Sequence, residues 1–246
     1  MSYADITFCD QNPIKRWLQQ RRLADAIQLT AHFQGINTVL DFGAGNGELS
    51  KRLINFFPKA HIICYEPTFD LMAEAQKNTE KFQQIRFVSD MSAVSKESVD
   101  LLYCLEVFEH LPVNEAEKAF SLIRSVLRNS GIAIMGVPIE VYLPALYKGI
   151  FRMTRRFGDF DATPGNVLRA TVGFPPQSRP INEIATGWWY HPHHLGFDYR
   201  RFRALLKSQH LMILKQSASP IPIFGAWINP EIYFVVQKVN KVPPLF

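Results

Sequence analysis

Two stretches of the chain combine residue types and spacings that could do chemistry. The first is Asp41-Phe-Gly43-Ala44-Gly45-Asn-Gly47-Glu48. Its three glycines allow a tight backbone turn and the close approach of a ligand. A pyrophosphate fingerprint would need glycine at position 48. Glu48 instead puts a carboxylate where a diphosphate would seek a helix N-terminus. No Gly-Lys-Ser/Thr follows, so a P-loop is excluded as well. The loop suits a nucleoside ligand without phosphates. The second stretch is Glu106-Val-Phe-Glu109-His110. Two carboxylates and an imidazole at this spacing could hold a divalent cation that polarises a hydroxyl, with Mg²⁺, Mn²⁺ and Zn²⁺ left undistinguished by the donor set. The same residues could equally shape the end of a strand with no metal. A third cluster, Trp188-Trp189-Tyr190-His191-Pro192-His193-His194, could line a pocket or add an imidazole to such a site.

Short apolar runs alternate with amphipathic helical segments and place these clusters. Strands are expected at Thr38 to Phe42, His61 to Tyr65, Ile85 to Val88, Val99 to Cys104 and Ile132 to Val137. Helices are expected from Asn12-Pro13 through Phe33, from Asn46 to about Phe57, from Thr68 to Glu80 and from Pro112 to Arg128. Such alternation means an α/β chain: a Rossmann-like, doubly wound parallel sheet with right-handed crossovers and helices on both faces. Both chemical stretches then lie beyond strand C-termini, where open sheets bind ligands. The pattern lapses between Glu140 and Tyr190, which holds five prolines and little strand period. It resumes with a helix at Asp198 to Gln209 and a hairpin-like pair, Leu211 to Gln216 and Ile232 to Gln237.

With the elements in place, the D-x-G-x-G-x-G loop after the first strand resembles the signature of class I methyltransferases that use S-adenosyl-L-methionine. The resemblance covers Val39 to Pro138 well and His193 to Lys238 more loosely. It implies seven strands in the order 3-2-1-4-5-7-6 with strand 7 antiparallel. It also implies that Asp41, Gly43, Ala44, Gly45 and Gly47 cradle the cofactor, with Leu105 beside them. Glu66, followed by Pro67, would take the ribose hydroxyls through charge-assisted hydrogen bonds. Asp90 would meet the adenine amino group, with Met91 flanking the ring. Asp90 could also simply cap the following turn.

Methyl transfer from a sulfonium is an in-line displacement that needs an aligned nucleophile out of water. A hydroxyl nucleophile also needs its proton removed, by a base or with help from a metal. Glu106, Glu109 and His110 lie where the acceptor belongs, and His194 matches the family position before the last large helix. These four are the candidate catalytic residues, with His191 as second choice among the histidines. Some O-methyltransferases of ubiquinone synthesis and some RNA 3′-end methyltransferases bind a metal through such a Glu-Glu-His set. Many small-molecule members carry Glu-His-Leu-Pro with no metal. The reading is a methyltransferase acting on a small molecule, at oxygen. The alternatives are an RNA methyltransferase with a basic docking insert, and a catalytically silent protein that keeps the cofactor fold.

The charge bears on the acceptor. The 246 residues carry a net +5. From Lys148 to Lys207 there are ten basic and four acidic residues, so this stretch holds all the excess and the remainder is nearly neutral. Within residues 143–157, Leu143, Leu146, Tyr147, Ile150, Met153 and Phe157 share one helical face, and Lys148, Arg152, Arg155 and Arg156 the other. The plain expectation is that the apolar face packs on the sheet and the basic face meets water. An anionic membrane surface or an acidic substrate would suit the same helix. Continuous strand-tracking of nucleic acid would need a larger basic footprint. The chain reads as one domain, 1–246, made of an N-terminal helical segment (1–35), a cofactor-binding half (36–139), an insert that lids the substrate (140–190) and a C-terminal part of the sheet (191–240). No apolar run is long enough to span a membrane. The opening residues lack a signal-peptide pattern, and Cys9, Cys64 and Cys104 make no disulfide framework, so a cytoplasmic location is expected.

Overall fold

The computed structural model describes residues 13–185 and 188–239. Cys9 and Asn12 lie outside them, as do the side chains of Ile14 and Trp188. A seven-stranded sheet forms the centre, from β1 (Thr38–Phe42), β2 (His61–Tyr65), β3 (Ile85–Val88), β4 (Val99–Leu105), β5 (Leu127–Pro138), β8 (Leu211–Ser219) and β9 (Glu231–Lys238). Their order is β3-β2-β1-β4-β5-β9-β8. The first five run parallel, and β9 lies antiparallel between β5 and β8. This is the expected order once the small hairpin of β6 (Asn182–Ala185) and β7 (Trp188–Tyr190) is counted apart. That hairpin, inside the Pro-rich insert, was not anticipated, because strands of three and four residues carry almost no periodicity.

The helices are α1 (Pro13–Gln28), α2 (Glu48–Phe56), α3 (Phe69–Asn78), α4 (Val113–Val126), α5 (Tyr142–Arg156), α6 (Pro164–Thr171) and α7 (Tyr199–Ser208). Apolar clusters cover both sheet faces. One is centred on Leu102, Phe120, Met135 and Phe234, the other on Leu53, Leu101, Ile134 and Tyr233. Helix α1 stops at Gln28 and not at Phe33. Thr30 turns back on the Ile27 carbonyl and meets the Tyr103 hydroxyl at 2.6 Å, which fastens the helix to the sheet. Strand β5 starts at Leu127, five residues before Ile132, where a helix was expected to continue. Leu127 is fully buried and pairs with Val99, with a register shift between Val99 and Leu101. Burial against β4 overrides the local helical pattern there.

The insert reverses a further expectation. Helix α5 does not bury its apolar stripe. Pro144, Ala145 and Gly149 face inward, while Leu143, Tyr147, Ile150, Phe151 and Phe157 are exposed. Lys148 and Arg152 turn toward the protein because Glu140, wholly buried at the end of β5, needs them. Lys148 Nζ lies 2.9 Å from its carboxylate, and Arg152 grips both oxygens at 2.8 Å. A buried carboxylate without such partners would be far costlier than an exposed leucine. Gly149 is there for contact: a Cβ would come within 2.5 Å of Val167 on α6.

Candidate functional site

The glycine loop leaves β1 with Gly43, Gly45 and Gly47 all at positive φ, which only glycine adopts freely. The three differ in what surrounds them. A Cβ on Gly43 would stand 2.5 Å from Val107, and one on Gly47 3.1 Å from Ala75. A Cβ on Gly45 would meet nothing within 4 Å. Gly43 and Gly47 therefore serve packing, and Gly45 borders open space. The Gly43 and Ala44 amides both donate to the Tyr65 carbonyl, which binds the loop to β2. Asp41 is buried and accepts a 2.7 Å hydrogen bond from Ser50 at the start of α2. Desolvation pushes its pKa up to about 7, against the lowering effect of Ser50.

Glu66, buried at the end of β2, receives the Gly45 amide on one oxygen and the Thr68 amide on the other, each at 2.9 Å. Each oxygen keeps a further lone pair. Pro67, partly buried, follows it. Asp90 is exposed at the end of β3 and caps the turn Met91–Ala93 through the Ser92 amide and hydroxyl, which holds its carboxyl below the usual range. Met91 belongs to the core, and Leu105 is half-buried at the end of β4. The acidic side chains at the ends of β1, β2 and β3 thus share one edge of the sheet with the loop.

Beyond β4, Glu106 takes a φ of 56°, unusual for a residue with a Cβ, and a short turn, Phe108–His110, follows. Glu109 is completely buried, and neither of its carboxylate oxygens has a hydrogen-bond partner. Burial, and after it the charge of Glu106, pushes its pKa well up. Donor atoms of Glu109, His110 and His194 all lie within 4.8 Å of one another. The two imidazoles touch, Nε2 to Nε2, at 3.1 Å. His110 Nδ1 is 2.8 Å from the His191 carbonyl. A carbonyl can only accept, so Nδ1 carries the proton and Nε2 presents a lone pair to the cluster. Desolvation pushes the His194 pKa down to about 3, leaving that ring neutral.

Glu106 does not complete this group in the same way. Its carboxylate is 3.0 Å from the Arg22 guanidinium of α1, which, against desolvation, holds it below the ordinary range. Arg22 also reaches Glu231 at the start of β9, at 3.3 Å. Burial pushes Glu231 up to about 8. Leu18 and Arg22 of α1, Glu106, Glu231, Phe151 and His194 border a cavity of about 390 Å³ beside the histidines.

The other histidines of the aromatic cluster hold the site in shape. His191 binds the Pro180 carbonyl through its ring and His110 through its backbone. His193 Nδ1 lies 3.2 Å from the carboxylate of buried Asp161. Arg179 spans the Glu109 carbonyl, at 2.6 Å, and the His193 carbonyl. Asp198 caps α7 through the Arg200 amide. Sequence reasoning did not find Arg22, Glu140, Arg179 or Glu231. A charged residue on an unremarkable helix, or at an apolar strand end, looks like any solvated charge until its partner is known.

Residues 39–131 match the family model described as a methyltransferase domain. At the level of sequence, no curated protein matches the chain. Among solved structures, the chain is similar to the PH0226 protein of Pyrococcus horikoshii OT3, with TM-score 0.64 and 13% identity over 96% of each chain. It is also similar to the 1,6-didemethyltoxoflavin-N1-methyltransferase of Burkholderia thailandensis with bound S-adenosylhomocysteine, with TM-score 0.57 and 14% identity over 96% of this chain and 85% of that one. A third is the magnesium protoporphyrin IX methyltransferase of Synechocystis PCC 6803, also with S-adenosylhomocysteine. Its TM-score is 0.58 at 16% identity, over 93% of this chain and 89% of that one. At such identities the likeness is one of fold.

Proposed function

We propose that this chain, whose residues 39–131 match a methyltransferase domain, is a class I S-adenosyl-L-methionine-dependent enzyme that methylates a hydroxyl of a small molecule held in the cavity between α1 and α5, with a divalent cation at Glu109, His110 and His194. The observation that carries this reading is Glu109, a fully buried carboxylate with both oxygens unsatisfied beside two imidazole nitrogens. Natural proteins rarely leave such a group without a partner, and a cation accepting one carboxylate oxygen and two neutral imidazoles would supply it.

The positions of the side chains support the following roles. Gly45 leaves room for the nucleoside, Glu66 offers its remaining lone pairs to the ribose, with Pro67 beside it, and in this reading Asp90 and Met91 meet the adenine. The His191 carbonyl orients His110 so that its free nitrogen points inward. Leu18 and Phe151 limit water at the acceptor. When bound, the cation polarises the acceptor hydroxyl and eases loss of its proton.

A small acceptor fits better than a polynucleotide because Lys148, Arg152, Arg156 and Arg179 of the insert are taken up by groups of the protein itself, which leaves Arg155 and Arg169 as its surface cations. Lys148, Arg152 and Arg156 meet Glu140 and Asp161, Arg179 meets carbonyls, and Arg200 meets Asp198. The test has two arms. Calorimetry with S-adenosyl-L-methionine and S-adenosylhomocysteine should show binding that Gly45→Arg abolishes; absence of binding in the unmodified chain would refute the cofactor assignment. Metal analysis should show a divalent ion that Glu109→Ala and His110→Ala lose. Equal occupancy in all three would remove the metal from the reading.

A further inference from the structure

The outward face of α5 is the feature that neither the fold nor the reaction explains. Leu143, Tyr147, Ile150 and Phe151 recur at the spacing of one helical face, and all are exposed. The face continues onto the turn Pro222–Trp227, which packs beside α5 and is joined to it by a hydrogen bond of 3.1 Å from the Tyr147 hydroxyl to the Ile228 carbonyl. There Ile223 is 87% and Trp227 79% exposed, and Phe224 is half exposed. No charged residue occurs from Ala218 to Pro230. On the other flank, α6 and the turn after it expose Leu168, Val172 and Phe174. Apolar surface this continuous marks a contact with something other than water.

The charges around it indicate what. Arg155 lies over the Phe151 ring, 5.4 Å from its centre, and Arg169 is exposed on α6. The exposed acidic group nearby, Asp159, is answered by Arg156 at 3.9 Å. A second copy of the chain docking face to face would bring these arginines against each other. An apolar face carrying Trp, Tyr and Phe and edged by arginines is complementary to the boundary between acyl chains and anionic headgroups. Phe151 belongs to this face and also borders the cavity, so the cavity opens at its edge.

We infer that the face formed by α5 and the turn Pro222–Trp227 docks on an anionic lipid bilayer, and that the acceptor is an amphiphile entering the cavity from that bilayer. The docking stands on the surface alone, whereas the acceptor class rests on the methyl-transfer reading above.

Co-sedimentation of the full chain with phosphatidylcholine vesicles, with and without phosphatidylglycerol, tests the docking. Binding should be at least about tenfold stronger with the anionic lipid, given roughly 1 kcal/mol per basic residue near the surface, and should weaken as salt is raised. Ile150→Glu and Trp227→Ser should each weaken it about tenfold or more while leaving calorimetric binding of S-adenosylhomocysteine intact, which also shows that both variants fold. Lack of binding to either vesicle, or binding by both variants as strong as the parent's, overturns the proposal. A stable dimer in gel filtration that Ile150→Glu dissociates also overturns it, since a second copy would then be the occupant. In the unsubstituted chain, cofactor binding without vesicle binding defeats the docking alone, and vesicle binding without cofactor binding defeats the methyl-transfer reading alone.

Discussion

Arg22 of helix α1 lies between two carboxylates on different strands, 3.0 Å from Glu106 and 3.3 Å from Glu231. The N-terminal helix therefore contributes the cation that makes these two carboxylates tolerable side by side. Two partly or wholly buried carboxylates within reach of one guanidinium repel each other once it is gone.

Arg22→Met should accordingly destabilise the metal-free protein by on the order of 3 kcal/mol, the low end for breaking a buried ion pair, since Arg22 and Glu106 retain some exposure. If Glu106 belongs to a cation site, Mn²⁺ or Mg²⁺ should recover much of that loss in the variant. Denaturant titrations with and without the ion check both statements. A variant as stable as the parent would show that the contact matters little.

The glycines of the loop should separate by substitution. Gly43→Ala meets Val107 at 2.5 Å as well as an unfavourable φ, and should cost about 2–3 kcal/mol. Gly45→Ala meets only the φ penalty, about 1 kcal/mol, yet should weaken S-adenosylhomocysteine binding more than its stability cost explains. Thermal melts paired with calorimetry distinguish the two effects.

Asp41 makes the ligand-free stability depend on pH. Its folded pKa, about 7, lies above the ordinary 3.8, so between these values the folded state holds a proton that the unfolded chain has released. This contribution is fully present below about pH 4 and is lost as pH rises through 7, amounting to a few kcal/mol. Asp41→Asn should flatten that part of the profile, as measured by urea unfolding between pH 4 and 8. An unchanged slope would count against the burial argument.

Glu140 should behave in the opposite sense. Lys148 and Arg152 hold its carboxyl well below the usual range in spite of burial, so its contribution is present above the ordinary pKa and is lost only in strong acid. Glu140→Gln leaves Lys148 with only backbone carbonyls and Arg152 with only Asp161, and should cost on the order of 3 kcal/mol and loosen α5. Limited proteolysis within residues 142–157, compared with the parent, would report that loosening.

Much of the sheet edge that carries the glycine loop was legible in the sequence because its signals are local. Strand β1, the glycine loop and Glu66 lie within 29 consecutive residues. Each declares itself by its neighbours: apolar runs closed by glycine, and an acidic residue ending a strand. The alternation indicated a parallel sheet, while its strand order came from the family resemblance and not from the pattern itself. What the tertiary structure decided involves partners far apart along the chain. His110 meets His194 across 84 positions, and Arg22 meets Glu106 across a similar gap. The orientation of α5 shows the reason most clearly. Its sequence is amphipathic and by itself indicates only that two faces differ. Which face turns inward was settled by buried Glu140 at the end of β5 and Asp161 beyond the helix, whose charges require Lys148 and Arg152. The free energy of a buried charge outweighs that of several exposed apolar side chains, and that comparison cannot be made until the fold has placed the carboxylates.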